Sequence, residues 1–487
     1  MSEINSGQGI KAAKRLQFSR WMVWLFLAAS ILLLLYTYYR AEIVYQGTRN
    51  ETYFKYYIIS LIGALFWGLV LRLKDEIRVN ILMATTSLVV GLYLVEVTLY
   101  FSGFVPKTGG FGPQIVERQL VAAEQGIEFD VRTKLQVIQD LRDGGEDAFP
   151  SVDPGGLIKK GGLHKEKAEV LFPLGGANKP TVAANEGGEY MIFQSDRYGF
   201  NNPDVAWDSP QTEWVLTGDS FTQGHAVQAG ADIGGQIRSL TNQSVINLGA
   251  SGNGPLIELA ALKEYAESMR PKKVLWIYCE GNDLTHNLSS EKTVPLLMEY
   301  LQPEFSQDLI HKQKEIDSKL AKYIAEAEAE AEAEAEAEVE AKEKAEEAKA
   351  GAEADAIIYR SRLLRLYHIR NLIEFDIDID IDVDPLFAKV LTEARDRTTA
   401  WGGQLYFVYL PDFLRYEASV DDHDLYRKRR EVLDVAKELK IPFIDIHQEV
   451  FENHHDPLSL FPLRIREHYN AEGYSQVAKA IIAGVSN

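Results

Sequence analysis

The segment Glu213–Phe221 reads EWVLTGDSF and contains the two signals on which the fold assignment depends. Its first five residues are a short run of mostly apolar side chains, which is typical of a buried strand. Gly218, Asp219 and Ser220 follow at once. Ligands of open parallel sheets bind beyond the carboxyl ends of the strands, so Ser220 is predicted to lie at such a site. A Gly-Asp-Ser tripeptide alone is weak evidence, because a turn with a helix-capping Ser reads the same way.

Similar apolar runs recur along the rest of the chain and alternate with helical patterns. The predicted strands are Glu213–Thr217, Ser244–Leu248, Lys273–Tyr278, Gln404–Leu410 and Ile441–Ile446. The predicted helices are 229–240, 255–270, 386–400, 423–439 and 471–484. This alternation indicates an α/β fold, with a mostly parallel sheet and helices on both faces.

Polar motifs follow two more of the predicted strands and open the last predicted helix. The second strand is followed by Gly249, Gly252 and Gly254, and the third is followed by Asn282. His468 lies just before the last predicted helix. The glycines read G-x-x-G-x-G, which is neither a dinucleotide fingerprint nor a phosphate-binding loop. We therefore expect no cofactor. A lone Asn or His of this kind is more often structural, so each motif taken singly favours the structural interpretation.

Taken together and in this order, the four motifs resemble the SGNH (GDSL) hydrolase family, over residues 190–487. The resemblance implies a flavodoxin-like three-layer domain that acts as a serine esterase or O-acyltransferase. It implies Ser220 as the nucleophile and His468 as the general base. It also implies an oxyanion hole formed by the Ser220 N–H, the Gly252 N–H and the Asn282 side chain. Such donors stabilise the oxyanion of acyl transfer by about 3 kcal/mol each.

One position departs from the family pattern. The family usually has an Asp three residues before the His, where it orients the imidazole, and this chain has Ile465 there. Either a Ser–His dyad operates or another acid substitutes, and Asp456 and Glu467 are the two candidates. The departure also favours a second hypothesis, a non-catalytic component of an envelope polysaccharide synthesis or export complex. A lectin-like module that uses the site only as a cleft is a third.

The first hundred residues are far more apolar than the remainder. Three apolar runs, Trp21–Tyr38, Tyr56–Leu71 and Asn80–Phe101, predict three transmembrane helices over residues 21–101. Lys and Arg are concentrated before the first run and between the second and third. By the positive-inside rule, residues 1–20 are then cytoplasmic in a bacterial inner membrane, and the rest of the chain beyond residue 101 is periplasmic.

Two further regions interrupt or precede the predicted domain. Residues 102–189 are rich in Gly, Pro, Asp and Lys and are interpreted as a linker with one helix. Residues 290–385 form a long insertion, whose Glu-Ala repeat at Ala325–Glu340 predicts a solvated helix. The stretch Asp376–Asp384 reads DIDIDIDVD. It could bind calcium along one face of a strand, but a low-complexity expansion without a ligand is the favoured interpretation.

Composition limits the classes of function that remain. The 487 residues include one cysteine, Cys279, which excludes an intrachain disulfide framework and a cysteine-based metal site. A net charge of -20 argues against nucleic acid as the main partner. We expect no metal, an acylated carbohydrate or glycolipid as substrate, and contact with the lipid bilayer and with membrane-protein partners. Whether water or a sugar hydroxyl accepts the acyl group is left open.

Overall fold

The computed structural model describes residues 2–44, 50–101, 115–154, 157, 175–329, 383–416, 423–465 and 468–486. The chain divides into two compact units. The first comprises residues 1–109 with 342–376, and the second comprises residues 110–341 with 377–487. Every candidate site residue belongs to the second unit.

In the first unit, the described residues form helices α1 (Ser2–Tyr38), α2 (Asn50–Val70) and α3 (Asp75–Phe101). By length and composition, two stretches are long and apolar enough to cross a membrane, Leu16–Ile43 and Asp75–Thr98. The prediction of three membrane spans is therefore wrong in number. The apolar part of α2 covers only Tyr56–Val70. As a helix that stretch is about 22 Å long, short of a hydrocarbon core of roughly 30 Å.

The second unit begins with helices Ile115–Glu124 and Lys134–Asp143 and a small sheet. Its strands are β1 (Phe149–Pro150), β2 (Pro180–Asn185) and β3 (Tyr190–Gln194). The strand β2 pairs in parallel with β1 and antiparallel with β3, so β2 and β3 form a hairpin. The region interpreted as a linker, residues 102–189, thus contains both helices and two of these strands.

The main sheet contains β4 (Trp214–Thr217), β5 (Val245–Asn247), β6 (Lys273–Cys279), β7 (Gln404–Leu410) and β8 (Phe443–Asp445). All pairs in it are parallel, and the strand order is β5-β4-β6-β7-β8. This order is the flavodoxin-like doubly wound order, with its switch point between β4 and β6. The structure confirms the predicted α/β fold and each of the five predicted strands, with ends that differ by at most two residues.

Helices cover both faces of the main sheet. They are Ile233–Thr241, Pro255–Ala261, Pro385–Ala400, His423–Glu438 and Ala471–Ser486. Alternate residues of β6 point into two different apolar cores: Val274 and Trp276 into one, Leu275 and Ile277 into the other. This alternation is what a strand buried on both faces requires, and it gives the domain its three layers.

The insertion is described only in part. Short helices at Pro295–Glu299 and Leu309–His311 lead to a helix over residues 313–329. The start of the Glu-Ala repeat is therefore helical, as predicted. The rest of the repeat, and residues 376–382 of the Asp-Ile stretch, lie outside the described residues. Asp384 caps the helix Pro385–Ala400 by accepting a hydrogen bond from the Leu386 N–H.

Candidate active site

Ser220 begins a one-turn helix directly beyond the carboxyl end of β4. Gly218 makes the tight exit from the strand possible, because a Cβ there would lie 2.1 Å from Thr222 Oγ1 and 2.8 Å from the Ile277 carbonyl. Asp219 caps the turn, accepting a hydrogen bond of 2.9 Å from the Phe221 N–H. Ser220 is only 7% exposed, so its hydroxyl lies at the base of the site rather than on an open loop.

His468 lies just before the helix Ala471–Ser486, and its two successors hold it in place. The Tyr469 hydroxyl is buried and donates to the Pro411 carbonyl at 2.6 Å. The Asn470 side chain donates to the Ser459 carbonyl and accepts from the Gly473 N–H, which caps the helix. The Phe221 ring packs on the imidazole with centroids 4.5 Å apart. These contacts restrict where the imidazole can point.

Glu186 provides the carboxylate that faces this imidazole. It is the first residue of the turn between β2 and β3, and it is 4% exposed. Asn185 shapes the turn by accepting a hydrogen bond from the Gly188 N–H at 2.9 Å. Gly188 has a φ of +120°, and a Cβ on it would lie 2.5 Å from the Glu128 carbonyl, so the turn requires glycine there.

The three side chains form one continuous hydrogen-bonded series. The His468 Nδ1–H donates to Glu186 at 2.7 Å to Oε1 and 2.9 Å to Oε2, and the His468 backbone N–H donates to Oε2 at 3.1 Å. The Ser220 hydroxyl donates to His468 Nε2 at 2.7 Å. A nucleophile, a base and a group that orients the base are the components of a catalytic triad.

The charge state of Glu186 suits the orienting role. Burial raises the pKa of this carboxyl, but the charge of His468 and the hydrogen bonds from it outweigh burial, so the pKa of Glu186 lies below its ordinary value. An ionised Glu186 keeps the proton of the neutral imidazole on Nδ1 and leaves Nε2 free to take the proton of Ser220. The same negative charge stabilises the imidazolium that forms when Ser220 attacks.

Asp456, one of the two acids predicted for this role, is paired with another side chain. Asp456 forms a two-point ion pair with Arg464, at 2.7 and 2.8 Å, and its side chain is 33% exposed. Asp456 is therefore not the orienting acid, because Glu186 occupies the Nδ1 side of His468. Glu467 lies outside the described residues. Glu280, which replaces a glycine of the family pattern, pairs with Arg415 and accepts a hydrogen bond from Tyr409.

Two of the three predicted oxyanion donors, Gly252 and Asn282, come from the loops after β5 and β6. Asn282 donates from Nδ2 to Asp219 Oδ2 at 2.9 Å, which ties its amide to the residue before Ser220. Gly252 has a φ of +73°, and a Cβ on it would lie 1.9 Å from Asp153 Oδ1. The loop after β5 also touches the serine loop, since the Ala250 N–H donates to the Gly218 carbonyl at 3.3 Å.

His225 is a second histidine beside Glu186. Its Nδ1 lies 4.0 Å from Glu186 Oε1, and its ring centroid lies 5.0 Å from that of His468. Burial and the charge of His468 lower the pKa of His225 to about 3, against a smaller opposite effect of Glu186. Glu186, His225 and His468 are the one group of described residues whose ligand atoms converge enough to hold a metal ion. Metal binding there would compete with the hydrogen bonds that join Glu186, His468 and Ser220.

Comparisons with known proteins give structural likeness only. No family model and no curated protein matches the chain. A putative lipolytic protein of the G-D-S-L family from Desulfitobacterium hafniense DCB-2 is 14% identical, covering 56% of this chain and 99% of that chain, with a TM-score of 0.28. A lipase/acylhydrolase from Enterococcus faecalis is 11% identical (56% and 95% covered, TM-score 0.30), and the acetyl xylan esterase AlAXEase is 12% identical (56% and 99%, TM-score 0.29). At these identities and TM-scores the likeness carries no argument about activity. The contacts of Ser220, His468 and Glu186 are the evidence that bears on activity.

Sequence reasoning placed Ser220 and His468 near each other but missed Glu186 and His225. The hairpin that carries Glu186 could have been predicted from the sequence. The stretch 180–194 reads PTVAANEGGEYMIFQ, two apolar runs separated by a polar turn with two glycines, which is typical of a hairpin. The acids predicted to orient His468 were Asp456 and Glu467, which lie close to it in the sequence, as the family's Asp does. His225 has no comparable signal in the sequence.

Proposed function

We propose that this chain is a membrane-anchored serine esterase that works through an acyl-enzyme on Ser220. The observation that carries the proposal is the hydrogen-bonded series from Ser220 through His468 to Glu186. Each group has the partner its role needs, and the series lies at the carboxyl end of the main sheet, where such folds bind ligands. The Ser220 hydroxyl is thereby set up as a nucleophile.

The chemistry proceeds in two acyl-transfer steps. Ser220 Oγ attacks the ester carbonyl carbon while its proton passes to His468 Nε2. The resulting oxyanion is stabilised by the N–H groups of Ser220 and Gly252 and by the Asn282 amide. When the tetrahedral intermediate collapses, the alcohol leaves with the proton from His468, and the acyl group stays on Ser220. Water then attacks the acyl-enzyme with the same proton transfers in reverse, which releases the carboxylic acid and restores Ser220.

The non-catalytic alternative depended on Ile465 in the place of the family Asp. That argument loses its basis, because Glu186 supplies a carboxylate on the Nδ1 side of His468 from elsewhere in the chain. Burial of a charge costs free energy unless it is paired and hydrogen-bonded, as Glu186 is.

The acyl acceptor and substrate extend the proposal beyond the site. An O-acyltransferase would use the same acyl-enzyme and differ only in that a sugar hydroxyl, rather than water, attacks it. As the family resemblance implies, we propose acylated cell-surface carbohydrate or glycolipid as the substrate. Product analysis with and without an added saccharide separates the two outcomes, because only a transferase forms a new sugar ester.

The experiment that tests the esterase proposal is covalent labelling of the detergent-solubilised full chain with a fluorophosphonate probe. Wild-type protein should be labelled, Ser220→Ala should not, and Glu186→Gln should react far more slowly. Asp456→Asn is the matched control, since it also removes one carboxylate charge, and it should label at the wild-type rate. Wild-type protein that unfolds cooperatively but takes up no probe would refute the proposal and favour the non-catalytic alternative.

The proposed location is a bacterial inner membrane, with the second unit outside the bilayer. The apolar stretches Leu16–Ile43 and Asp75–Thr98 support anchoring. Two crossings return the chain to the side on which it began, whereas three would place the second unit on the opposite side. Protease accessibility in intact spheroplasts distinguishes these cases. Cleavage of the second unit in intact spheroplasts places it in the periplasm, and protection until the membrane is opened places it in the cytoplasm.

A further inference from the structure

A cavity of about 440 Å³ lies in the second unit outside the three catalytic side chains. Its walls are mostly apolar and include Leu135, Ile138, Val152, Leu157, Tyr323 and Ile324. Charged groups in the lining are Lys134, Asp153 and Glu328. Its volume is in the range of pockets that hold small ligands, and apolar walls of this kind bind apolar groups.

One end of the cavity adjoins the proposed oxyanion hole. Asp153, which lines the cavity, has its carboxylate against Gly252, so close that a Cβ on Gly252 would lie 1.9 Å from Oδ1. The neighbouring Ser151 receives a hydrogen bond of 3.4 Å from Gln223, in the turn that begins with Ser220. The segment Pro150–Asp153 is therefore shared between the cavity and the catalytic loops.

The opposite wall comes from the insertion, in the helix over residues 313–329. Two connections hold this helix to the rest of the unit. Arg142 forms a two-point ion pair with Glu328, with both distances 3.1 Å, and Asp317 accepts a hydrogen bond of 3.1 Å from the Ala177 N–H. These contacts fix the insertion helix in position, so part of the insertion forms a wall of the cavity.

We propose that this cavity binds the acyl chain of the substrate ester, so that the enzyme prefers an apolar acyl group of several methylenes over acetyl. The inference rests on the proposed esterase function. With the ester carbonyl carbon at Ser220 and the carbonyl oxygen near Gly252, the acyl chain would extend past the Asp153 carboxylate into the apolar cavity. The alcohol portion, carbohydrate or glycolipid, leaves on the solvent side.

The test compares p-nitrophenyl esters of acetate, butyrate and octanoate with the detergent-solubilised full chain. The value of kcat/KM should rise with chain length, by up to about fourfold per methylene buried. Ala327 lines the cavity and is exposed, so Ala327→Trp should fill the space and leave the fold intact. Ala325→Trp is the matched control, because Ala325 is exposed on the same helix and is not part of the lining.

Ala327→Trp should lower kcat/KM for octanoate at least tenfold and leave acetate unchanged, while Ala325→Trp changes neither. Equal effects of Ala327→Trp on both esters, or no preference for longer chains in the wild type, would overturn the acyl-pocket proposal. Fluorophosphonate labelling of Ser220 in the same samples separates the two proposals. Labelling without chain-length preference refutes only the pocket, and absence of labelling refutes the esterase function and the pocket with it.

Discussion

Glu186 and His468 are separated by 282 positions in the chain, yet the carboxylate of one accepts hydrogen bonds from both the imidazole Nδ1–H and the backbone N–H of the other. The two contacts fix the ring and the main chain at once. The carboxylate therefore sets the position of His468 as well as its tautomer, and it does so from a sheet other than the one that carries Ser220.

Replacement of Glu186 by Gln should reduce kcat by a factor on the order of 10³–10⁴, as for other triads that lose the orienting carboxylate. The amide no longer selects the productive tautomer and no longer stabilises the imidazolium. Steady-state kinetics with a p-nitrophenyl ester measures the effect. Asp456→Asn should keep wild-type kcat, and a comparable loss in that variant would contradict the assignment of the acid to Glu186.

Replacement of Asn282 by Ala should reduce kcat by about 10²–10³, the usual cost of one oxyanion donor, with little change in KM. The reason is that the oxyanion exists only after attack, so the amide contributes mainly to the transition state. A change confined to KM would show that Asn282 contacts the substrate in its ground state. Its contact with Asp219 calls for a check that the variant unfolds at the wild-type temperature.

His225 predicts how stability depends on pH. Because the pKa of buried His225 is lowered to about 3, the folded protein keeps this imidazole neutral where the unfolded chain, with a pKa near 6.5, protonates it. Stability is then lost as pH falls below about 6.5, with a slope of up to roughly 1.4 kcal/mol per pH unit from this group. Denaturant unfolding of His225→Gln at several pH values should show a shallower slope. An unchanged slope in His225→Gln would contradict a buried, neutral imidazole at this position.

Two buried glutamates should respond in opposite ways to the same substitution. Glu258 has no hydrogen-bond partner for either carboxylate oxygen among the described residues, and burial together with nearby carboxylates raises its pKa well above the ordinary value. Its folded form is protonated, so its contribution to stability is lost as pH rises through the raised pKa. Glu258→Gln should therefore become more stable than wild type as the pH is raised.

Glu264 provides the contrast. Its carboxylate accepts hydrogen bonds from the hydroxyls of Tyr300 and Ser306 and from the N–H groups of Gln307 and Leu309. An amide in its place would set an NH2 donor against these donors, so Glu264→Gln should destabilise the fold by about 1–3 kcal/mol. Unfolding transitions measured across pH 5–9 compare the two variants. Equal behaviour would show that hydrogen-bond satisfaction does not decide the outcome.

Much of the fold followed from local patterns. Each predicted strand of the main sheet was an apolar run. Three of these runs ended in a polar motif, which leaves little freedom about which end of the strand faces the site. The adjacency of Ser220 and His468 followed as well, because the family resemblance fixes which strand and helix bring them together. These are properties of single segments or of their order along the chain.

The predictions that were wrong or incomplete depended on packing in three dimensions or on the exact length of a segment. Glu186 was missed because its proximity to His468 depends on how the β2–β3 hairpin packs, and no pattern within residues 180–194 records that packing. Asp456 was proposed because it is near His468 in sequence, but its carboxylate accepts a hydrogen bond from Arg464. The second of the three predicted membrane spans, Tyr56–Leu71, failed on length, since the polar residues at the start of α2 shorten its apolar part.

The position of Glu186 in the turn between β2 and β3 bears on where the chain can be divided. A fragment that begins at residue 190, the boundary suggested by the motifs alone, would keep all the strands of the main sheet together with Ser220 and His468. It would lack the carboxylate and the strand that presents it. Such a fragment would retain the Ser220–His468 pair without the carboxylate that orients the imidazole, and low activity in it would not represent the full chain. A fragment that keeps the complete series of Ser220, His468 and Glu186 has to include the small sheet.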